Sequence, residues 1–210
     1  MKRYLIIVLC LLAVFVPTQT GLSTQKPLTS QHEKEVAVFA GGCFWGVDAV
    51  FRHVRGVLDV ASGYAGGEAS TANYTDVSTG TTGHAESVRI VFNPGVVSYR
   101  QLLDIFFRVA HDPTQLDRQG PDVGVQYRSA IFFMTPEQNA EARQFIRRLD
   151  SARVYRSPIV TNVVPLRKFY PAEAYHQDYL ARHSQDPYIV INDLPKLEQL
   201  RKKYPEMYLP

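Results

Sequence analysis

From residue 36 onward the chain switches between two hydrophobic periodicities. Apolar residues fill 36–40 and stop at Gly41-Gly42, after which Val47, Val50, Phe51 and Val54 recur at helical spacing. This predicts a strand, a tight glycine turn and an amphipathic helix. Residues 57–64 read as a second strand, 66–83 as a long loop rich in Gly, Ser, Thr and Asn, and 85–92 as a third strand stopped by Asn93-Pro94-Gly95. Long loops in compact domains are usually functional. Ser98, with Gln101 three residues on, has the pattern of a capping box, and Tyr99, Leu102, Leu103 and Phe106 supply that helix's buried stripe. A polar loop over 111–124 precedes a strand at 129–134. Thr135-Pro136-Glu137-Gln138 then opens a helix carried on by Ala142, Phe145, Ile146 and Leu149. Residues 159–164 read as strand and 172–182 as a short helix, while the Pro-punctuated tail beyond 186 shows no clear period. There is no internal repeat. Parallel and antiparallel pairings both stay open, and the fold class is an α+β sheet with helices packed on it.

The first residues carry a different signal. Lys2 and Arg3 precede an apolar run over 4–16, the length of a signal-peptide core and short of the ~20 residues that span a bilayer. The expected organisation is a signal peptide over 1–20, a flexible leader over 21–35 and one domain over 36–210, exported to the periplasm or secreted. Leu9 before Cys10 argues against a lipid-modified cysteine. With 45% apolar and 20% charged residues the chain can bury one core, and its net charge of +3 includes Lys2 and Arg3 of the expected signal peptide. The nearly neutral body has no field to steer it onto nucleic acid or an anionic membrane. Of the two cysteines, Cys10 and Cys43, only Cys43 would remain after export, so no internal disulfide can form. The pair lacks zinc spacing, and His84, His111 and His176 lack ligand spacing, so no metal and no cofactor are expected.

Cys43 follows the Gly-Gly turn and opens a helix, where unpaired N–H groups and the macrodipole favour negative charge. The expectation is a lowered thiol pKa: a fall of roughly 1.5 units would leave about half of it ionised at pH 7. A small buried hydrophobe is the plainer alternative. Gly41, Gly42 and Gly46 do not have the spacing of a phosphate loop, and Phe44-Trp45 would obstruct a pyrophosphate. Those two rings either pack into the core or wall a small apolar pocket at the thiol. In the third strand Glu86, Val88, Ile90 and Phe92 share one face by the period of two, so a carboxylate ends an apolar row. Buried, Glu86 becomes a usable general acid; at the strand mouth it stays in water.

The run Gly41-Gly42-Cys43-Phe44-Trp45-Gly46 resembles the Gly-Cys-Phe-Trp-Gly motif of the A-type peptide methionine sulfoxide reductases. Gly63-Tyr64-Ala65-Gly66-Gly67, Asn73-Tyr74-Thr75, Gly83-His84-Ala85-Glu86, Gly124-Val125-Gln126-Tyr127-Arg128-Ser129-Ala130-Ile131 and Tyr175-His176-Gln177-Asp178-Tyr179-Leu180 resemble family segments in family order. The resemblance implies a two-layer ferredoxin-like core with long loop extensions, and reduction of the S epimer of methionine sulfoxide, free or in proteins. It implies Cys43 as nucleophile, Phe44, Trp45 and Gly42 at the substrate methyl group, and Glu86 as proton donor to the sulfoxide oxygen. Tyr74 and Tyr127 match the tyrosines that bond that oxygen or a nearby water, and Asp122 the aspartate that helps order this network. Turnover leaves a sulfenic acid on Cys43. Many relatives resolve it with a second cysteine near the C-terminus. Residues 190–210 contain none, and Ser78 occupies another such position, so an external thiol, thioredoxin-like, glutaredoxin-like or small, is the expected reductant.

Two rivals are weighed against this. A papain-like peptidase would use Cys43, His176 and Asn192, but Trp45 is not adjacent to the cysteine, the upstream glutamine is missing and Glu86, Tyr74 and Tyr127 stay idle. A secreted module that binds methionine without chemistry would tolerate loss of Cys43. His111-Asp112 reads as a loop turn, and Arg147-Arg148 as a solvated helix face.

Overall fold

The computed structural model describes residues 33–210. The expected signal peptide, most of the leader and Cys10 lie outside the described residues. The chain runs β1 (Glu35–Gly41), α1 (Phe44–Arg52), β2 (Val57–Ala65), α2 (Tyr74–Val77), β3 (Ala85–Phe92), α3 (Tyr99–Ile105), a hairpin of β4 (Arg118–Gln119) and β5 (Asp122–Val123), β6 (Ser129–Phe133), α4 (Pro136–Ser151), β7 (Asn162–Pro165), β8 (Phe169–Pro171), α5 (Tyr179–Arg182) and α6 (Leu194–Lys203). The main sheet has the order β7-β6-β1-β3-β2-β8. Its four inner strands pair antiparallel in the order β6-β1-β3-β2, the ferredoxin-like βαββαβ arrangement, and it gains a parallel edge at β7 and an antiparallel one at β8.

Each strand carries the alternation that splits its residues between two cores. Ala37, Phe39, Tyr64, Val88, Ile90, Phe92 and Ile131 pack under Val47, Val50 and Phe51 of α1, Leu102 and Leu103 of α3 and Ala142 of α4. Val38, Ala40, Ala65, Ala85, Ala130 and Phe132 turn the other way, against Leu166 and Phe169. Because β1 is covered on both faces it reads as an unbroken apolar run. Ser98 and Gln101 complete both halves of the capping box of α3, and the Thr135 side chain accepts from the Gln138 N–H at the start of α4.

Several elements depart from the expected pattern. The long loop over 66–83 holds α2, capped by Asn73, whose side chain accepts from the Asp76 N–H. The strand expected over 159–164 is confined to β7. The helix expected over 172–182 is broken: Asp178 adopts a left-handed φ of 50°, so only a single turn at Ala174–His176 and α5 form. The tail beyond 186 forms a widened turn at Ile189–Asp193 that runs into α6. His111, expected in a turn, is buried: its Nδ1 bonds the Phe106 carbonyl and its Nε2 the Ser129 hydroxyl.

Candidate active site

The site is assembled where β1 hands over to α1. Gly42 takes a φ of +92°, and a Cβ there would lie 2.5 Å from the Gln119 side chain, so both conformation and space require glycine. The turn delivers Cys43 to the N-cap position of α1, where its side chain caps nothing. Phe44, the first helical residue, donates its backbone N–H to Glu86 Oε2 at 3.0 Å. That bond takes one of the unpaired donors of the helix start and fixes the carboxyl beside Cys43.

Glu86 is only 3% exposed and lies on the helix-covered face with Val88 and Ile90, so the open question of strand mouth or interior is answered by burial. Desolvation lifts its carboxyl from 4.5 to about 8; the Phe44 N–H opposes the shift and Asp122 adds to it. At pH 7 about nine in ten molecules carry the proton. The expectation for Cys43 is reversed. Burial pushes its thiol well above 9.0, and the Glu86 and Asp193 carboxylates add to that; a hydrogen bond from the Trp45 N–H and the Lys196 ammonium pull the other way without winning. The helix start does favour the anion, but loss of water outweighs it. At rest the site therefore holds a neutral thiol beside a neutral acid.

Aromatic side chains enclose the pair. Phe44 is buried, with its ring centroid 4.9 Å from that of His176 and 5.9 Å from that of Tyr64. Trp45 stacks on Tyr179 at 3.7 Å and 7°, meets Tyr188 edge-on, and donates Nε1–H to His176 Nδ1 at 3.1 Å. Tyr74 packs its ring 4.5 Å from His176, and its N–H donates to Glu173, which also accepts from the Tyr64 hydroxyl. The phenols of Tyr74 and Tyr127 are both pushed up, by burial first and then by Glu86, with Cys43 and Asp122 contributing to each. These shared influences place Cys43, Glu86, Tyr74, Tyr127 and Asp122 in one electrostatic cluster. The hydrogen-bond partner of Asp122 is the hydroxyl of Tyr188, not either of those tyrosines.

Three contributors were not legible in the sequence: Tyr188, Asp193 and Lys196. All come from the tail, whose weak period gave no sign of what it packs against; Tyr179 belongs to the Tyr175–Leu180 segment, but its stacking on Trp45 was not legible there. His84, singled out with the other histidines, is buried elsewhere, accepting from the Gly67 N–H and bonding the Glu68 carbonyl. Asn192 donates to the Tyr188 carbonyl and His176 Nδ1 accepts from Trp45, so neither is bonded as a peptidase dyad requires.

A buried cysteine beside a buried carboxyl in an aromatic enclosure, carried on a ferredoxin-like sheet, is an arrangement suited to a thiol-dependent oxidoreductase. Residues 35–208 match the family model for peptide methionine sulfoxide reductase. The chain is 53% identical over 176 residues to peptide methionine sulfoxide reductase MsrA 2 of a Synechocystis species, covering 84% of this chain and 82% of that one. It is 51% identical over 177 residues to MsrA of Thermus thermophilus, covering 84% and 99%. Among solved structures it is similar to reduced Mxr1 of Saccharomyces cerevisiae (35% identity, TM-score 0.66, 72% of this chain and 87% of that one) and to methionine sulfoxide reductase A of Corynebacterium diphtheriae (35%, 0.65, 74% and 77%). The chain belongs to the peptide methionine sulfoxide reductase family, A type, and is an oxidoreductase that reduces the S epimer of methionine sulfoxide.

Proposed function

We propose that Cys43 and Glu86 carry this reduction as a single-cysteine pair. The observation that bears most weight is the buried Glu86 carboxyl, tied to the Phe44 N–H one residue from the nucleophile and protonated at neutral pH. A sulfoxide sulfur is a poor electrophile until its oxygen is protonated. Glu86 gives its proton to that oxygen, the Cys43 sulfur attacks the sulfoxide sulfur, and the carboxylate left behind takes up the thiol proton. In the resulting adduct the hydroxyl passes from the substrate sulfur to the Cys43 sulfur as the S–O and the new S–S bonds break, so methionine leaves and Cys43 holds a sulfenic acid. The Trp45 face, fixed by Tyr179 and His176, and the Phe44 ring receive the methyl group, while the Tyr74 and Tyr127 hydroxyls donate to the oxygen.

Cys43 is the one cysteine among the described residues, so no partner within the domain can resolve the sulfenic acid. An external thiol attacks it, releasing water and forming a mixed disulfide; a second thiol displaces Cys43 and restores the free sulfhydryl. The net balance is one sulfoxide and two thiols giving one thioether, one disulfide and one water. The charged-then-apolar pattern of residues 2–16 supports work outside the cytoplasm, on exported proteins or on free methionine sulfoxide.

Incubation of the chain with each methionine sulfoxide epimer and dithiothreitol, with methionine quantified by mass spectrometry, tests the reading. Turnover of the S epimer alone is expected, abolished in Cys43→Ser. An intramolecular disulfide in peroxide-treated protein that lacks residues 1–20, and so Cys10, or turnover surviving in Cys43→Ser, refutes it.

A further inference from the structure

The catalytic pair uses carboxylic acid and sulfur, and leaves one charged feature at the same helix start without a task. The first turn of α1 contains no acidic residue of its own. Gly46, its third residue, is instead covered by a carboxylate from the tail: a Cβ at Gly46 would lie 2.0 Å from Asp193 Oδ1 and 2.6 Å from Lys196 Nζ. Glycine here is what permits the approach. The Asp193 side chain is fully buried, its Oδ1 bonds Lys196 Nζ at 3.0 Å, and its Oδ2 has no partner. Lys196 is itself 17% exposed. Burying such a pair against a helix terminus gains little stability by itself, because desolvation offsets the attraction.

We propose that Asp193 and Lys196, held together against Gly46 in the first turn of α1, are positioning residues for the Cys43 sulfur: the ammonium serves as counter-charge to the anionic forms of the sulfur, and the carboxylate opposes it. This rests on the single-cysteine chemistry above. The ionisable groups around the sulfur come from every neighbouring element. They are Glu86 of β3, Tyr74 of α2, Tyr127 before β6, Tyr179 of α5, and Tyr188 with Asp193 and Lys196 of the tail. All but Lys196 are acids or phenols, so Lys196 is the cation of the set. The two tail residues act on the thiol with opposite sign, Asp193 holding the proton on and Lys196 drawing it off.

Opposite signs make the pair testable. The rate at which iodoacetamide alkylates Cys43 is followed against pH in the full chain, with the Cys43 peptide quantified by mass spectrometry so that Cys10 does not interfere. Lys196→Met keeps the aliphatic stem and should slow alkylation at pH 8 by about threefold or more, the effect of half a pKa unit. Lys196→Arg should restore the rate, and Asp193→Asn should raise it. Circular dichroism melts run beside each variant separate misfolding from loss of charge. Rates that move in the same direction in Lys196→Met and Asp193→Asn, or that do not move in folded protein, overturn the proposal. Absence of methionine production by the unsubstituted chain, with both alkylation shifts intact, would count against the single-cysteine reading and leave the counter-charge standing.

Discussion

Replacing Glu86 with glutamine separates the chemistry of this residue from its architecture. The amide keeps an oxygen for the Phe44 N–H and nearly the same volume, and removes the transferable proton. With the carboxyl at about 8, about nine in ten sites are charged with that proton at pH 7, against roughly one in three hundred for an ordinary glutamic acid. General acids contribute about 10²–10⁴ in rate, so single-turnover methionine formation should fall by that amount while Cys43 alkylation persists. Stability should move the other way. The folded chain holds this proton more tightly than the unfolded one, so the stabilisation is complete below about 4.5 and is lost as pH rises through 8, on the order of 5 kcal/mol in all. Glutamine cannot ionise and escapes that loss. The Glu86→Gln melt should match the wild type near pH 5 and exceed it by on the order of 10 °C at pH 8.5. A variant within threefold of wild-type activity at pH 7, or one whose melting advantage is the same at pH 5 and 8.5, would refute the assignment.

Two further outcomes follow from the histidines. Trp45 is the only tryptophan in the chain, so its emission reports its bond to His176 directly. The indole can only donate, which makes Nδ1 the acceptor and places the proton of the neutral ring on Nε2. His176→Asn, with an oxygen near the Nδ1 position, should keep the wild-type emission and KM, whereas His176→Leu should shift the emission and raise KM several-fold with less change in kcat; equal effects of the two would reject a positioning role. His111, buried and pushed down to about 4, leaves the unfolded chain with the higher proton affinity, so stability present above 6.5 is lost as pH falls to 4, by about 3 kcal/mol. Chemical denaturation across that window should show the loss, and His111→Gln should blunt it.

What the sequence disclosed divides along physical lines. β3 was legible to its end residues because its apolar alternation is regular and Asn93-Pro94-Gly95 stops it, and the same alternation put Glu86 on the inner face. Ser98 and Thr135 announced α3 and α4 because a cap is a local bond. The ionisation of Cys43 was not legible: the helix start is a local property, but the burial that outweighs it is made by Tyr188, Asp193 and other residues distant in sequence. The left-handed turn at Asp178 was missed for a related reason, since aspartate adopts it less readily than glycine and gives no local signal.

α5 and the tail supply Tyr179, Tyr188, Asp193 and Lys196 to a nucleophile that stands near the start of the domain's sequence. During synthesis the sulfur and its acid leave the ribosome long before the ring that stacks on Trp45 or the ammonium under Gly46. Until those residues arrive the thiol lacks the enclosure and the Asp193 carboxylate that hold its proton on, so an unfinished polypeptide carries its sulfur more readily ionised than the finished domain does.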